Sequence, residues 1–394
     1  MGGRGGAAGG QIAGAAGRAS PSYPAGAAGA AGAAGAAGAA GGAGVGGEAG
    51  ADSRCESGFN VLDVADGFTG NLITWPEQQR IAFWTSSSTI RVVDVSAVAM
   101  GGPVASLAEL SNESFGLTSD WRIQVVQYGD GLLVTASRLR QARVFSWHVG
   151  SGVNEIAVTL PPNSGPIQLA DPIAGLVFVG DDQKIHRARE RDGVWSLGAA
   201  IGVSTQFRSP LAFDGDDLLL GLRESNRSYD AGETGSGGEA GSAGGVSAAV
   251  ERWNANDELV ASYRAVGNPR VAKRARGGFL IGETNSFWGS YRAALEWLAP
   301  GNDALQTLTH VPVRSAGDGE DGAFGVAVSG DRVFVANCES GLLSGLWEGS
   351  SASLSPLWTP HAAPIGECDP TSVQVLGELL LVAGEQLTFA RWCE

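Results

Sequence analysis

Gly322-Ala323-Phe324-Gly325-Val326-Ala327-Val328-Ser329-Gly330-Asp331-Arg332-Val333-Phe334-Val335-Ala336-Asn337 is the stretch on which the fold turns. Two apolar runs rich in Val and Phe flank Ser-Gly-Asp. β-Branched and aromatic side chains suit a pleated, half-buried surface, and Gly and Asp supply the tight turn between the runs. The segment predicts two antiparallel strands in a hairpin that is too small to bury both of its faces alone.

Six other runs resemble Val333–Ala336: Ile81–Trp84, Leu132–Thr135, Leu176–Val179, Leu218–Gly221, Phe279–Gly282 and Leu380–Ala383. Most follow a turn, such as Gly129-Asp130-Gly131 or Gly277-Gly278, and many turns follow another strand, such as Ile123–Val126. After the run comes a further strand that ends in tryptophan in five units: Trp147, Trp253, Trp297, Trp347 and Trp392. A ring recurring at one place in each unit is expected to fill the space between neighbouring units.

The rest of the chain sets the count. Residues 1–51 contain 19 Gly and 20 Ala and read as a flexible spacer, and 225–247 reads as a second Gly/Ser-rich stretch inserted in a domain. What remains of 52–394 divides into seven units of about 46 residues, close to the length of a four-stranded propeller blade. The expectation is an all-β fold, a seven-bladed β-propeller over 52–394, which hides its strand edges by closing a ring. Phe59–Val64 has no unit of its own and the last unit holds only three runs, so the N-terminal segment is predicted to complete the last blade.

Gly322–Asn337 resembles the first two strands of LVIVD and NHL-type propeller repeats, and Ile90–Ser96 is similar to the LVIVD third strand. The Gly-His and Trp-Asp pairs of WD40 blades do not occur at blade positions. The resemblance implies a binding platform, with scattered enzymes among such propellers.

Four cysteines, Cys55, Cys338, Cys368 and Cys393, show no C-x-x-C spacing, so no metal site is expected. Their placement favours Cys55–Cys393 and Cys338–Cys368 disulfides, the first tying the ends of the ring. Four reduced, buried thiols are the alternative. Disulfides would imply export, although no signal-peptide h-region is visible.

With 26 Lys and Arg against 41 Asp and Glu, the net charge is −15, which argues against nucleic acid as a partner. No apolar run is long enough for a membrane-spanning helix. Gly317–Gly322 fits G-x-G-x-x-G, yet it carries Asp318, Glu320 and Asp321 and precedes a strand, so it reads as a solvated acidic loop. Asp214, Asp216 and Asp217 read as turn residues. His148, His186, His310 and His361 stand alone in sequence.

One pattern suggests a site. Arg122, Arg208 and Arg270 lie nine or ten residues ahead of their apolar runs, with Gln168 and Asn71 at nearly the same place, where innermost strands would open on a central channel. In an acidic chain such a ring would attract a carboxylate or phosphate. Pairing of the arginines with acids of adjacent blades is the plainer alternative. No cofactor is expected. The reading is a non-catalytic binding or scaffold module, monomeric, in the bacterial cell envelope or secreted fraction. Its Gly/Ala tail is similar to a lipoprotein spacer, and its partner would be a protein, a glycan or a small anionic ligand. The alternative is a lactonase- or lyase-like enzyme using the channel mouth. It would need His, Asp, Glu or Tyr where Arg, Gln, Asn and Thr371 stand.

Overall fold

A computed structural model describes residues 58–65, 72–86, 88–139, 141–161, 164–180, 184–201, 208–223, 248–285, 292–301, 304–313, 321–337, 340–358 and 371–393. Within them β1 (Gly58–Ala65) comes first. The next four strands, β2 (Leu72–Trp75), β3 (Arg80–Ser86), β4 (Thr89–Asp94) and β5 (Ala105–Ser111), form blade one. Blade two is β6 (Arg122–Tyr128), β7 (Gly131–Arg138), β8 (Gln141–His148) and β9 (Gly152–Ile156). Blade three is β10 (Ile167–Asp171), β11 (Gly175–Val179), β12 (Ile185–Arg191) and β13 (Val194–Leu197). Blade four is β14 (Arg208–Asp214), β15 (Asp217–Leu222), β16 (Ala249–Trp253) and β17 (Leu259–Arg264). Blade five is β18 (Asn268–Ala275), β19 (Gly278–Thr284), β20 (Ala294–Leu298) and β21 (Gln306–His310). Blade six is β22 (Ala323–Ser329), β23 (Arg332–Asn337), β24 (Gly341–Glu348) and β25 (Ser351–Trp358). Blade seven is β26 (Ser372–Leu376), β27 (Leu379–Ala383) and β28 (Leu387–Cys393), with β1 as its outer strand.

The molecule is a seven-bladed β-propeller, as the repeat count predicts. In the decisive hairpin Ser329 faces Arg332, and Gly330 takes a φ of 55°, a left-handed turn conformation that glycine adopts without penalty. The ring closes as expected: Phe59 lies opposite Trp392 and Val61 opposite Ala390 in an antiparallel register. Among the described residues three segments form single 3₁₀ turns, and no helix is long and apolar enough to cross a membrane.

Burial explains why blades stack. Every residue of β19 and of β27 is buried, because a second strand is covered on both faces by its neighbours. Outer strands such as β17 are mostly exposed. Apolar side chains gather in seven clusters, one for each pair of adjacent blades. Each fully buried Leu, Val or Phe contributes about 1.5–3 kcal/mol, so each blade is held mainly by its two neighbours.

All five tryptophans pack at these seams. Trp297 and Trp347 meet edge to face at 5.3 Å between blades five and six, and Trp392 meets Phe334 at 5.3 Å between seven and six. Trp147 belongs to the seam of blades one and two, and Trp253 to that of three and four. At Gly325 the backbones of blades six and seven come so close that a Cβ would lie 2.8 Å from Ser372 Cα.

Cys55, Cys338, Cys368, Asn71, the tail 1–51 and the stretch 225–247 lie outside the described residues. Cys393 ends β28 with Gly58 as its backbone partner.

Candidate functional site in the central channel

Innermost strands leave room along the ring axis. A cavity of ≈ 880 Å³ lies there, lined by β2, β6, β10, β14, β18 and β26. Its polar side chains are mainly carboxamides: Gln124 and Gln127 of β6, Gln168 of β10 and Gln374 of β26. Ile73, Val126, Leu169 and Ala212 supply apolar wall, and Lys273 of β18 supplies the one cation among the lining residues.

Backbone register shows how Lys273 reaches its partner. In each blade the second residue of the apolar run pairs with one innermost residue, giving Ile73, Val126, Leu169, Ala212, Lys273, Ala327 and Gln374 round the ring. Blade six has only a methyl group at this level. Lys273 of blade five passes it and its Nζ donates to Gln374 Oε1 of blade seven at 2.8 Å. The acceptor is neutral, and burial lowers the Lys273 amine from its ordinary range. Asp171, the carboxylate among the lining residues, accepts the backbone N–H groups of Ile173 and Ala174 at 2.8 Å each, within its own turn.

The structure places the four residues chosen from sequence at one end of the ring, on innermost strands of blades two to five. Arg122 opens β6 and is exposed. Gln168 and Arg270 sit at register irregularities in β10 and β18, where a bulge leaves one residue out of the ladder, and a bulge re-aims its side chain. Gln168 lines the cavity; Arg270 is exposed and does not. Arg208 opens β14 and is bound on both sides by Glu251, Nε to Oε2 at 2.9 Å and Nη2 to Oε1 at 3.1 Å. Glu251 also accepts from Trp253 Nε1 at 3.1 Å. Thr371 precedes β26 and bonds Ala383 through its N–H at 2.8 Å.

Sequence reading misses Lys273, Gln124 and Gln374. The signal was present: Lys273 and Gln374 each stand six residues ahead of their apolar runs, closer to the turn than the positions chosen.

Several other charged groups pair within one blade or across two. Asp214 and Asp217 share Arg252, at 2.5 and 2.7 Å, so two of the turn acids form an ion-pair network. Arg189 and Asp257 join blades three and four through two bonds of 2.7 and 3.1 Å. Asp321 corrects the reading of a solvated acidic loop: it is buried, with its N–H on Asn285 Oδ1. Asp318 and Glu320 lie outside the described residues.

Blade five also buries two acids. Glu283 Oε2 accepts the Gly267 N–H at 2.7 Å, while Glu296 accepts Thr307 Oγ1 at 2.8 Å. Burial, and then the Glu296 carboxyl beside it, holds the Glu283 carboxyl well above the usual carboxylate range.

The class is therefore a seven-bladed propeller with a polar channel, and solved structures share its fold. A chain of a mitotic checkpoint complex aligns with a TM-score of 0.54 at 14% identity, over 88% of this chain and 96% of that one. RRP9 WD40 repeats align at 0.53 and 10% identity, over 85% and 97%. Virginiamycin B lyase from Staphylococcus aureus aligns at 0.52 and 10% identity, over 85% and 98%. No protein-family model and no curated protein matches the chain.

Proposed function

We propose that this chain is a non-catalytic binding or scaffold propeller whose protein partner docks at the arginine-bearing mouth of the ring. The observation that carries this reading is the gathering of Arg122, Gln168, Arg208 and Arg270 at one end of four consecutive innermost strands. Arg122 and Arg270 are exposed cations on a chain of net charge −15, so the mouth suits an acidic segment of a partner. The likeness to WD40 repeats and to a chain of a checkpoint complex supports a scaffold role, as does the LVIVD and NHL-type resemblance of Gly322–Asn337. A glycan or a free anion is the other occupant to be tested.

The same proposal places a monomer in the cell envelope or secreted fraction of a bacterium, with Cys55–Cys393 and Cys338–Cys368 bridged. Thiol titration of protein made without reductant would then find no reactive thiol; four would point to an intracellular hub. The lyase alignment favours a second reading, an enzyme at the channel mouth, and the carboxamides and lone lysine of the lining support it less well.

Cross-linking of the full chain in envelope extract, followed by mass spectrometry, tests the docking face. Cross-links should cluster at the mouth and be lost in the Arg122→Glu, Arg270→Glu double variant. An unchanged cross-link pattern in that variant refutes the reading.

A further inference from the structure

A cation inside a protein of strongly negative net charge would ordinarily be expected to meet a carboxylate. Lys273 meets a carboxamide instead, although acids outnumber bases in the chain and pair with most of its arginines described above. An ammonium has three N–H donors, and Gln374 takes one. Among the described residues no protein group accepts the other two. They belong to a group that lines a cavity of ≈ 880 Å³, within the range of small-molecule sites.

The remaining wall narrows the chemistry. Gln124 and Gln168 offer both donors and acceptors, which suit hydroxyl or amide substituents. Ile73, Val126 and Leu169 offer aliphatic surface at the register level of Lys273. A bare inorganic ion would leave that surface unused. From this geometry we infer that the channel binds a small organic carboxylate, its acid group on Lys273 and its carbon body against the aliphatic wall. The site shares Gln168 with the docking mouth but turns on Lys273, which is not part of that mouth, and it stands whether or not a macromolecule binds there.

Alanine at position 327 is part of the device. A larger side chain in blade six at this level would stand between Lys273 and Gln374 and part the cation from the amide that orients it.

The chain contains two lysines, Lys184 and Lys273, so full-length protein labelled with ¹³C-lysine gives two side-chain signals, and Lys273→Met assigns them. Butyrate should move the Lys273 signal saturably in the millimolar range and leave Lys184 still, while butyramide, its neutral counterpart, should move neither. By calorimetry Lys273→Met should weaken butyrate binding at least about tenfold. Gln374→Leu, which keeps the lysine, should weaken it less. A Lys273 signal that butyrate leaves in place, that moves equally with butyramide, or that merely follows Lys184 overturns the inference. So does undiminished binding by a Lys273→Met protein whose melting curve is that of the native chain.

Discussion

Replacing Glu283 by glutamine should change how stability depends on pH, and the expected slope follows from the proton count. Glu283 is fully buried in blade five, with Oε2 on the Gly267 N–H and with no donor on Oε1. Burial of that carboxyl and the Glu296 carboxyl beside it therefore favour the protonated form of Glu283. In the unfolded chain the carboxyl titrates near its ordinary value of 4.5; in the folded protein burial and the Glu296 charge keep the proton on to higher pH. Between those two values the native state holds one proton more than the unfolded state. Stability must then fall as pH rises, by about 1.4 kcal/mol per pH unit, until the folded group ionises. Below the ordinary value both states are protonated and the group adds no slope.

In the Glu283→Gln variant the carboxamide would accept from Gly267 and donate to Glu296 without any proton to lose. Urea unfolding of both proteins at a series of pH values measures this directly. The variant should match the native chain in acid and gain on it steadily above the ordinary carboxyl value, with the difference curve rising at the slope given. Parallel curves for the two proteins, or a variant weaker at every pH, would refute the raised, proton-holding state of Glu283.

Two further substitutions probe the seams between blades. Gly325→Ala puts a methyl group against the Ser372 and Val373 backbone, which cannot swing aside, and should cost about 1–3 kcal/mol in thermal or urea unfolding; an unaltered midpoint would mean the inner strands can part freely. Asp257→Asn leaves Arg189 largely buried without its charge partner and should cost about 2–4 kcal/mol, whereas a loss under about 0.5 kcal/mol would show that the pair does not bind blade three to blade four.

The architecture was legible because it repeats. A hairpin such as Phe324–Ala336 carries its turn and its alternation within a few residues, and the same grammar seven times over leaves a ring as the arrangement that buries every flank. Strand closure was legible for a similar reason, since Phe59–Val64 lacked a unit and the last unit lacked a strand. The channel was legible only in part. The strand-start offset found Gln168, but Lys273 gains its meaning from Ala327 and Gln374, which sit 54 and 101 positions further on. No local pattern joins those three; only the register of blades five, six and seven does. Arg208 stands at the strand-start offset, and its partner Glu251 of the same blade lies beyond the 225–247 stretch, where no local pattern joins the two. Asp321 looked solvated among its acidic neighbours, yet the backbone of Asn285 and Asp321 pairs there and draws it inside.

Of the described strands, β1, the outer strand of the final blade, is the first to be synthesised. β1 ends at Ala65 and its partner begins at Leu387, so translation at about 5–20 residues per second keeps β1 waiting roughly 15–65 s for a neighbour. Throughout that interval six blades can assemble as an open arc, with one flank of blade one and one of blade six still wet. Val61 and Val64, which remain partly exposed even in the finished ring, would meanwhile be available to any passing strand edge. The ring is thus most vulnerable to mispairing just before β28 appears, and a holdase that shields β1 should raise the yield of closed rings.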